Sequence, residues 1–561
     1  MKAINSNYLL VLLLCASTLA GCKKSDSNPG PITPPTPTAL LLVNTTLDNT
    51  VASSPAVNYN IRPAVAVRLS FNNAVKRSSV AGAVSIVENG SVTIPASYNY
   101  EKSDSVLVVT STAPLKYLTR YTVTAASGLK SIQDRNLSIS RSVIIQTQID
   151  SSRKFPLLTD NALMDLVQQQ SLKYFWDFGH PVSGLARERN SSGETVTSGG
   201  SGFGIMSIIT GVNRGFISRA QALTRLQTTV AFLKNTAQTF HGAYPHWLNG
   251  TTGAVIPFST KDNGADLVET SYLMQGLLCA RQFFNAAGAE ATLRADINII
   301  YNRVEWNWFR NGEQNTLFWH WSPNYNWEMN LQVRGWNESL ITYVLAASST
   351  TFGIPASVYI NGWKGGSTFI NGNNYYGYNL PLGPPLGGPL FFSHYSFMGI
   401  NPNGLTDASA NYPTQTRNHT LINYSYTKAN PRGYYGYSDS VWGLTASDIE
   451  NGYTASSPTN DVGVIAPTAA LSSFPYTPNE SMAALKFYYY VLGDKLWKEY
   501  GFVDAFSLHN PWFANSTLAI DQGPIIVMIE NYRSQLLWNL FTSCPEVKTG
   551  MQTLGFSAPY L

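Results

Sequence analysis

Aromatic residues divide this chain in two. Between Ala39 and Asp150 there are six aromatics in 112 residues and no tryptophan, whereas Ser151 onward carries 62 in 411 residues, including all 13 Trp. One core does not explain such a step, and 561 residues exceed what a single core usually holds. Two kinds of domain are expected, joined near residue 150. Charge is scarce, with Asp, Glu, Lys and Arg at 12% of the chain, about half the usual share. Lys and Arg number 37 against 33 acids and form no runs, so no nucleic-acid partner is expected. The 7 His are scattered and no Cys pair has zinc-site spacing. No metal and no other cofactor is expected.

The N-terminus carries an address. Tyr8 to Leu14 is an apolar run too short to span a bilayer as a mature helix. It follows Lys2 and precedes Leu19-Ala20-Gly21-Cys22, so residues 1–21 read as a secretory signal. The four-residue ending resembles the bacterial lipobox, which implies cleavage before Cys22 and lipidation of its thiol. A membrane partner through that anchor and a place in the cell envelope follow, at the outer membrane on its periplasmic or surface face. An ordinary signal peptide with an incidental Cys is the alternative. Residues 22–38 read as a Pro-rich tether. Cys15 leaves with the signal and Cys22 takes lipid, so Cys279 and Cys544 allow one bridge at most.

Residues 39–150 read as β. Ala64 to Phe71, Ser105 to Val109 and Tyr121 to Ala125 are short runs rich in β-branched residues, separated by turns such as Asn72-Asn73 and Glu88-Asn89-Gly90. Several short strands over this length suggest a small β-sandwich. The order Leu69-Ser70-Phe71, Val75, Ser78-Ser79-Val80, then Pro114-Leu115, Leu118 and Tyr121-Thr122-Val123 resembles bacterial immunoglobulin-like domains. No acid or His cluster stands out, so a spacer or docking role is expected, with carbohydrate binding as the alternative.

Residues 151–561 read as helical. Asn161 to Phe178, Ser218 to Phe240, Asp266 to Phe284, Ala291 to Phe309, Glu338 to Ser348, Ser481 to Leu496 and Pro524 to Phe541 carry apolar residues at helical spacing. Long loops rich in Gly, Asn, Tyr and Trp connect them. Roughly ten to twelve helices with such loops suit a toroid of paired helices, with function on the loops at one end.

Those loops hold the chemistry. Trp306, Trp308, Trp319, Trp321, Trp327 and Trp336 fall within 31 residues, interleaved with His320, Asn324, Asn326 and Asn330. Indole faces stack on apolar sugar-ring faces while amides and carboxylates take the hydroxyls; core packing is the competing explanation. Asp262, Asp266 and Glu269 sit at spacings that one helix face brings together, although Asp266 to Glu269 is also a capping-box pattern. Glu338, where an aromatic loop enters an apolar helix, is placed to be desolvated and so to hold a proton. Asp521 stands just ahead of a helix entered through Gly523-Pro524, where the dipole keeps a carboxylate ionised. Simple capping is the alternative for both. Glu530 is expected to be structural.

At these residues a family resemblance becomes specific. Tyr244-Pro245-His246-Trp247, Ala265 to Thr270, His320-Trp321-Ser322-Pro323, Gly335-Trp336-Asn337-Glu338, Trp442 to Asp448 and Ile520 to Pro524 are similar to the glycoamylase-like domain of bacterial glucanases. The group resembled is glycoside hydrolase family 144, over residues 158 to 560. The resemblance implies a mainly α protein, an (α/α)6 barrel preceded by a small β-sandwich. It implies a metal-independent, inverting hydrolase of β-1,2-glucan that releases sophorose or short sophoro-oligosaccharides. Carried over residue by residue, it makes Asp262, Asp266, Glu269, Glu338 and Asp521 the pocket acids. Glu338 is read as acid and Asp521 as base. Asp262, Asp266, Glu269, His246, Trp247, His320, Trp336 and Trp442 are read as substrate-binding, in a monomer. A glycan-capturing lipoprotein without turnover, or a polysaccharide lyase on a similar toroid, are the alternatives; the first has no use for five acids and the second would face a uronate with them.

Overall fold

The computed structural model describes residues 38–561. The signal segment 1–21, Cys22 and the tether up to residue 37 lie outside the described residues. Contacts group the chain into two units. One takes the described residues up to Asn58 with Ala64–Pro114 and Tyr121–Ile145; the other takes Tyr59–Pro63, Leu115–Arg120 and Gln146–Leu561.

The first unit is built from short strands. These are β1 (Leu42–Leu47), β2 (Thr50–Val51), β3 (Val57–Ile61), β4 (Val67–Phe71) and β5 (Val84–Glu88), then β6 (Val92–Ile94), β7 (Ala96–Glu101), β8 (Val106–Ser111), β9 (Arg120–Ala125) and β10 (Arg141–Thr147). They form two five-stranded sheets, ordered β2-β1-β4-β8-β7 and β3-β10-β9-β5-β6. Period-2 sequence drives the burial: Val67, Leu69 and Phe71 of β4, and Tyr121, Val123 and Ala125 of β9, are buried while the residues between them are not. Alternation of this kind lets each sheet close one face over a shared core.

The second unit is mainly helical. Its helices are α1 (Asp160–Trp176), α2 (Ser198–Asn213), α3 (Arg219–Asn235), α4 (Leu267–Phe283), α5 (Ala289–Asn302), α6 (Leu340–Ser348) and the short α7 (Ala356–Val358). There follow α8 (Tyr412–Ala429), α9 (Pro467–Leu471), α10 (Pro478–Tyr490), α11 (Gly493–Leu496), α12 (Ala519–Ser534), α13 (Leu536–Thr542) and α14 (Pro545–Thr553). Among the described residues no helix is long and apolar enough to cross a membrane. Small β ladders tie the loops: β11 (Thr195–Thr197), β12 (Trp247–Asn249) and β13 (Val255–Ile256) make one, and β14 (Ala265–Asp266) pairs with β15 (His320–Trp321). Further two-stranded ladders are β16 (Ile370–Tyr375)–β17 (Tyr378–Leu382), β18 (Ala446–Ile449)–β19 (Gly452–Ala455), β20 (Trp497–Lys498)–β21 (Gly501–Phe502) and β22 (Phe506–Ser507)–β23 (Trp512–Phe513).

Helices α2, α7, α8, α9 and α14 lie outside the runs read as helical, and for the two long ones, α2 and α8, there is a physical reason. The α2 sequence holds Gly199, Gly200, Gly202, Gly204 and Gly211, which weaken helix propensity. Tertiary packing overrides it, because the glycines admit α4. A Cβ at Gly202 would stand 2.1 Å from the Tyr272 carbonyl oxygen, and one at Gly276 would stand 2.2 Å from that of Gly202. The α8 sequence is polar, but its Gln415, Thr416, His419, Thr420 and Asn423 are all buried and turned inward. Helix α12 begins at Ala519, five residues before the expected start at Pro524, and Gln535 in left-handed conformation breaks it from α13. Both Cys279 and Cys544 are buried free thiols, so the bridge their number allows is not formed.

Candidate active site

Helix α4 organises the site from its first turn. Asp266 is its N-cap, and Oδ1 accepts hydrogen bonds from the backbone N–H of Val268 (3.0 Å) and Glu269 (2.9 Å). The other oxygen, Oδ2, accepts from His246 Nδ1 at 3.0 Å and lies 3.5 Å from His320 Nε2. Capping and site chemistry are thus two duties of one carboxylate. The β14–β15 ladder sets Asp266 opposite His320. His320 Nε2 also lies 3.4 Å from Asp262 Oδ2. Asp262 belongs to the turn before the ladder and not to a helix, so the expected shared helix face is replaced by a cap, a strand pair and a turn.

Glu269 points toward α2. Its Oε2 accepts the Gly199 N–H at 3.0 Å, and a Cβ on Gly199 would sit 2.2 Å from that oxygen. Glycine here is the condition for the contact. Glu338 lies in the turn before α6, which starts at Leu340 and not at Glu338 as the periodicity predicts. Ser396 fixes this turn by donating its hydroxyl to the Glu338 carbonyl while accepting the Ile341 N–H.

Both carboxyls open on one cavity of about 460 Å³, walled by His246, Trp247, Glu269, Trp319, Glu338 and Tyr453 among others. Phe258 packs over His246, with ring centroids 4.3 Å apart, and against Trp247 at 4.8 Å. Burial pushes Glu338 up to about 7, helped by the charges of Glu269 and Asp266. Burial, with Asp266 and Asp262, likewise carries Glu269 up to about 7 against the pull of His246. Burial disfavours the His246 cation, yet Glu269, Asp266 and Asp262 together carry that ring up to about 9. Burial would also raise Asp266, but the hydrogen bonds from His246 and His320 hold it below its usual range. Asp262 is pushed to about 6, by burial and then by Asp266.

Asp262, Asp266 and His320, expected to bind substrate, stand behind the wall, joined to it through His246, and three other expected site residues sit elsewhere. Asp521 is inside the first turn of α12, off the cavity wall, and buried. Burial, then Asp504, raises it well above the usual carboxylate range, the opposite direction to the one expected from a helix dipole. Desolvation and a neighbouring acid outweigh a half-charge at a helix end. Trp336 is core, packed on Trp363, Phe397 and Tyr412. Trp442 is core too, its N–H donated to the Glu480 carbonyl oxygen at 3.2 Å.

Other wall residues escape the motif reading: Glu188, Arg189, Tyr272, Tyr395 and Tyr453. Arg189 donates to Glu188 at 2.8 Å and to Asp448 at 3.1 Å, and Asp504 accepts the Asp448 N–H at 2.7 Å. The available signal was scarcity. In a chain with 12% charged residues, Arg187-Glu188-Arg189 in a loop and Asp504 in an apolar run are unusual. Among the described residues His246, Asp262 and Asp266 form one group able to hold a cation, with ligand atoms within 4.8 Å of one another. Sequence spacing gave no hint of it. Here His246 Nδ1 already donates to Asp266, and a ring that titrates near 9 keeps both its protons at neutral pH.

A mainly helical unit with carboxyls, histidines and tryptophans around one cavity, following an immunoglobulin-like β unit in the chain, defines a glycoamylase-like protein. The Glycoamylase family model matches residues 330–545, and a bacterial Ig-like domain model matches residues 44–144. The endo-β-1,2-glucanase of Chitinophaga pinensis, solved with sophorotriose and glucose, is 51% identical, covers 72% of this chain and 100% of its own, and superposes with a TM-score of 0.70. The β-1,2-glucanase structure from Parabacteroides distasonis is 35% identical over 92% of this chain and 73% of its own, with a TM-score of 0.70. An exo β-1,2-glucooligosaccharide sophorohydrolase acting at the non-reducing end, from the same species, is 44% identical over 431 residues, or 73% of this chain; the chain spans 60% of that relative's length. The chain belongs to glycoside hydrolase family 144.

Proposed function

We propose that this protein is an inverting glycoside hydrolase of β-1,2-glucan, releasing sophorose or short sophoro-oligosaccharides. The observation that carries the reading is the pair Glu338 and Glu269, two carboxyls raised to about 7 on one aromatic-walled cavity. Each disfavours ionisation of the other, so near neutrality one holds a proton and one does not. The His246 cation stands beside Glu269 and favours that carboxylate. Glu338 is therefore the acid: it gives its proton to the glycosidic oxygen as the C–O bond breaks. Glu269 is the base: it takes a proton from the water that adds to the opposite face of the anomeric carbon. Asp266 positions the base by holding His246 and the first turn of α4, which carries Glu269. Trp247 and Trp319 offer ring faces to the sugar. Relatives named for β-1,2-linked glucans support this linkage over an α-glucan.

The same reading includes an (α/α)6 barrel. Helices α2, α4 and α12 are buried nearly all round over most of their lengths, whereas α3 and α5 expose one side, the pattern that an inner and an outer ring require. The test of function is product analysis on β-1,2-, β-1,3- and α-1,4-glucans with and without EDTA. Sophorose-series products from β-1,2-glucan alone, unchanged by the chelator, are expected. Hydrolysis of α-1,4-glucan in its place, or EDTA inactivation reversed by one divalent ion, would overturn the linkage or the metal-free chemistry respectively.

Location is a separate proposal, resting on Leu19-Ala20-Gly21-Cys22. Lipid on Cys22 would hold the protein at the cell envelope. Cys22→Ala is expected to move it from the membrane fraction to the soluble fraction; unchanged membrane association would refute the anchor.

A further inference from the structure

The six clustered tryptophans do not all serve one cavity. Trp306 and Trp336 are core, and Trp319 walls the catalytic cavity. Trp308 and Trp327 line a second cavity of about 400 Å³, which shares no residue with the first. Phe352 completes its apolar lining, and Asn307, Asn311 and Glu313 supply polar groups.

This second cavity is firmly built. His241 stacks under Trp308 with ring centroids 3.5 Å apart and 10° between planes, and its Nδ1 lies 2.8 Å from the Glu305 carboxylate. Trp327 leans on Trp308 at 4.7 Å and meets Phe309 and Phe318 edge-on. The loop beside them takes positive φ at Asn311 (46°), Gly312 (77°) and Glu313 (64°). Such a conformation is uncommon for a glutamate and persists where surroundings enforce it. Arg310 does so from behind, with Nε donating to the Gln314 carbonyl oxygen at 2.9 Å and Nη2 to that of Glu313 at 2.6 Å. Those bonds take only backbone oxygens of the loop. Among the described residues, the side-chain polar groups of Asn307, Asn311 and Glu313 have no hydrogen-bond partner, which leaves them to a ligand.

We propose that this second cavity is a non-catalytic binding site for a neutral glucan chain, a place where the polymer is held outside the reacting site. Ring faces of Trp308 and Trp327 suit the apolar faces of sugar rings, and two amides with a carboxylate suit hydroxyls. The charged groups of the lining are carboxylates, Glu305 and Glu313, which discourages an anionic ligand. The choice of glucan rests on the hydrolase reading above.

The test compares Trp327→Ala, and separately Asn307→Ala/Glu313→Ala, each in the full chain with and without Glu338→Gln. In the Glu338→Gln background, retention on immobilised long β-1,2-glucan should fall about tenfold in both variants. With Glu338 intact, KM for the long polymer should rise by a similar factor, while turnover of a short sophoro-oligosaccharide stays unchanged. Unchanged retention and polymer KM in the folded variants would overturn the site, as would loss of binding to a cationic peptide with glucan retention intact. The double variant, which leaves the indole packing alone, carries the test if Trp327→Ala fails to fold. A wild-type protein that hydrolyses no β-1,2-glucan would sink the hydrolase reading. Glucan retention lost on Trp327→Ala would then still support the second site.

Discussion

Glu338→Gln is expected to lower kcat by roughly two orders of magnitude or more while substrate still binds, the scale typical of losing a general acid. The amide keeps the volume of the side chain and leaves the Ser396 contact, which goes to the backbone, untouched. What it removes is the proton that burial holds on Glu338 up to about 7. The pH dependence follows from the signs. Glu338 must be protonated, so activity falls as pH rises through about 7; Glu269 must be ionised, so activity falls as pH drops through about 7. The two limbs belong to the pair, giving a narrow bell near neutrality. In the Glu338→Gln protein the alkaline limb should vanish from the residual rate. Steady-state kinetics across pH and binding of an oligosaccharide check this. Full activity in Glu338→Gln would remove the acid assignment. A loss in Asp521→Asn matching that of Glu338→Gln, with Glu269→Gln active, would move the base to the Asp504–Asp521 pair.

Asp266→Asn should do nearly as much damage by another route. An amide can still cap α4 through its oxygen, but its nitrogen then faces His246 and His320, two donors that lose their acceptor. His246 is expected to lose its charge at neutral pH, and Glu269 its nearest cation. We expect kcat to fall roughly a hundredfold and folding stability to fall by about 2–3 kcal/mol, the scale of a lost buried charge-assisted hydrogen bond. Rates together with thermal or denaturant unfolding measure both. A variant as stable and as fast as wild type would show that Asp266 is only a cap.

Much of this site was legible because chemistry-bearing side chains are rare in the chain. Asp266 and Glu269 stand out at helical spacing before an apolar run, and Glu338 at a loop-to-helix junction. The Asp262 partnership is legible in the spacing, but a turn and the β14–β15 pair, not a helix face, deliver it. Trp336 and Trp442 read as sugar platforms in the sequence because an indole looks the same in a core and on such a platform. Only their neighbours, Trp363 and Phe397 for one and the Glu480 carbonyl for the other, tell them apart. For Asp521 the local cue is a helix start, but burial raises its carboxyl and so does Asp504, a residue 17 positions away whose approach no local pattern encodes. The α2 helix was hidden by its glycines, whose purpose appears only when α4 is laid against them.

That backbone-to-backbone seat of α2 on α4 bears on how such a protein is redesigned. Where two helices touch through Gly202 and Gly276, no side chain remains to be trimmed or enlarged in compensation, so the seat tolerates almost no editing. Glu269 and its Gly199 partner ride on that seat and inherit its rigidity. The editable parts are those that merely lean over the cavity: the loop bearing Phe258, the segment bearing Trp319 and the β18–β19 hairpin bearing Tyr453. A library aimed at a new linkage or chain length belongs in those three segments, with the glycine seat held fixed as the chassis.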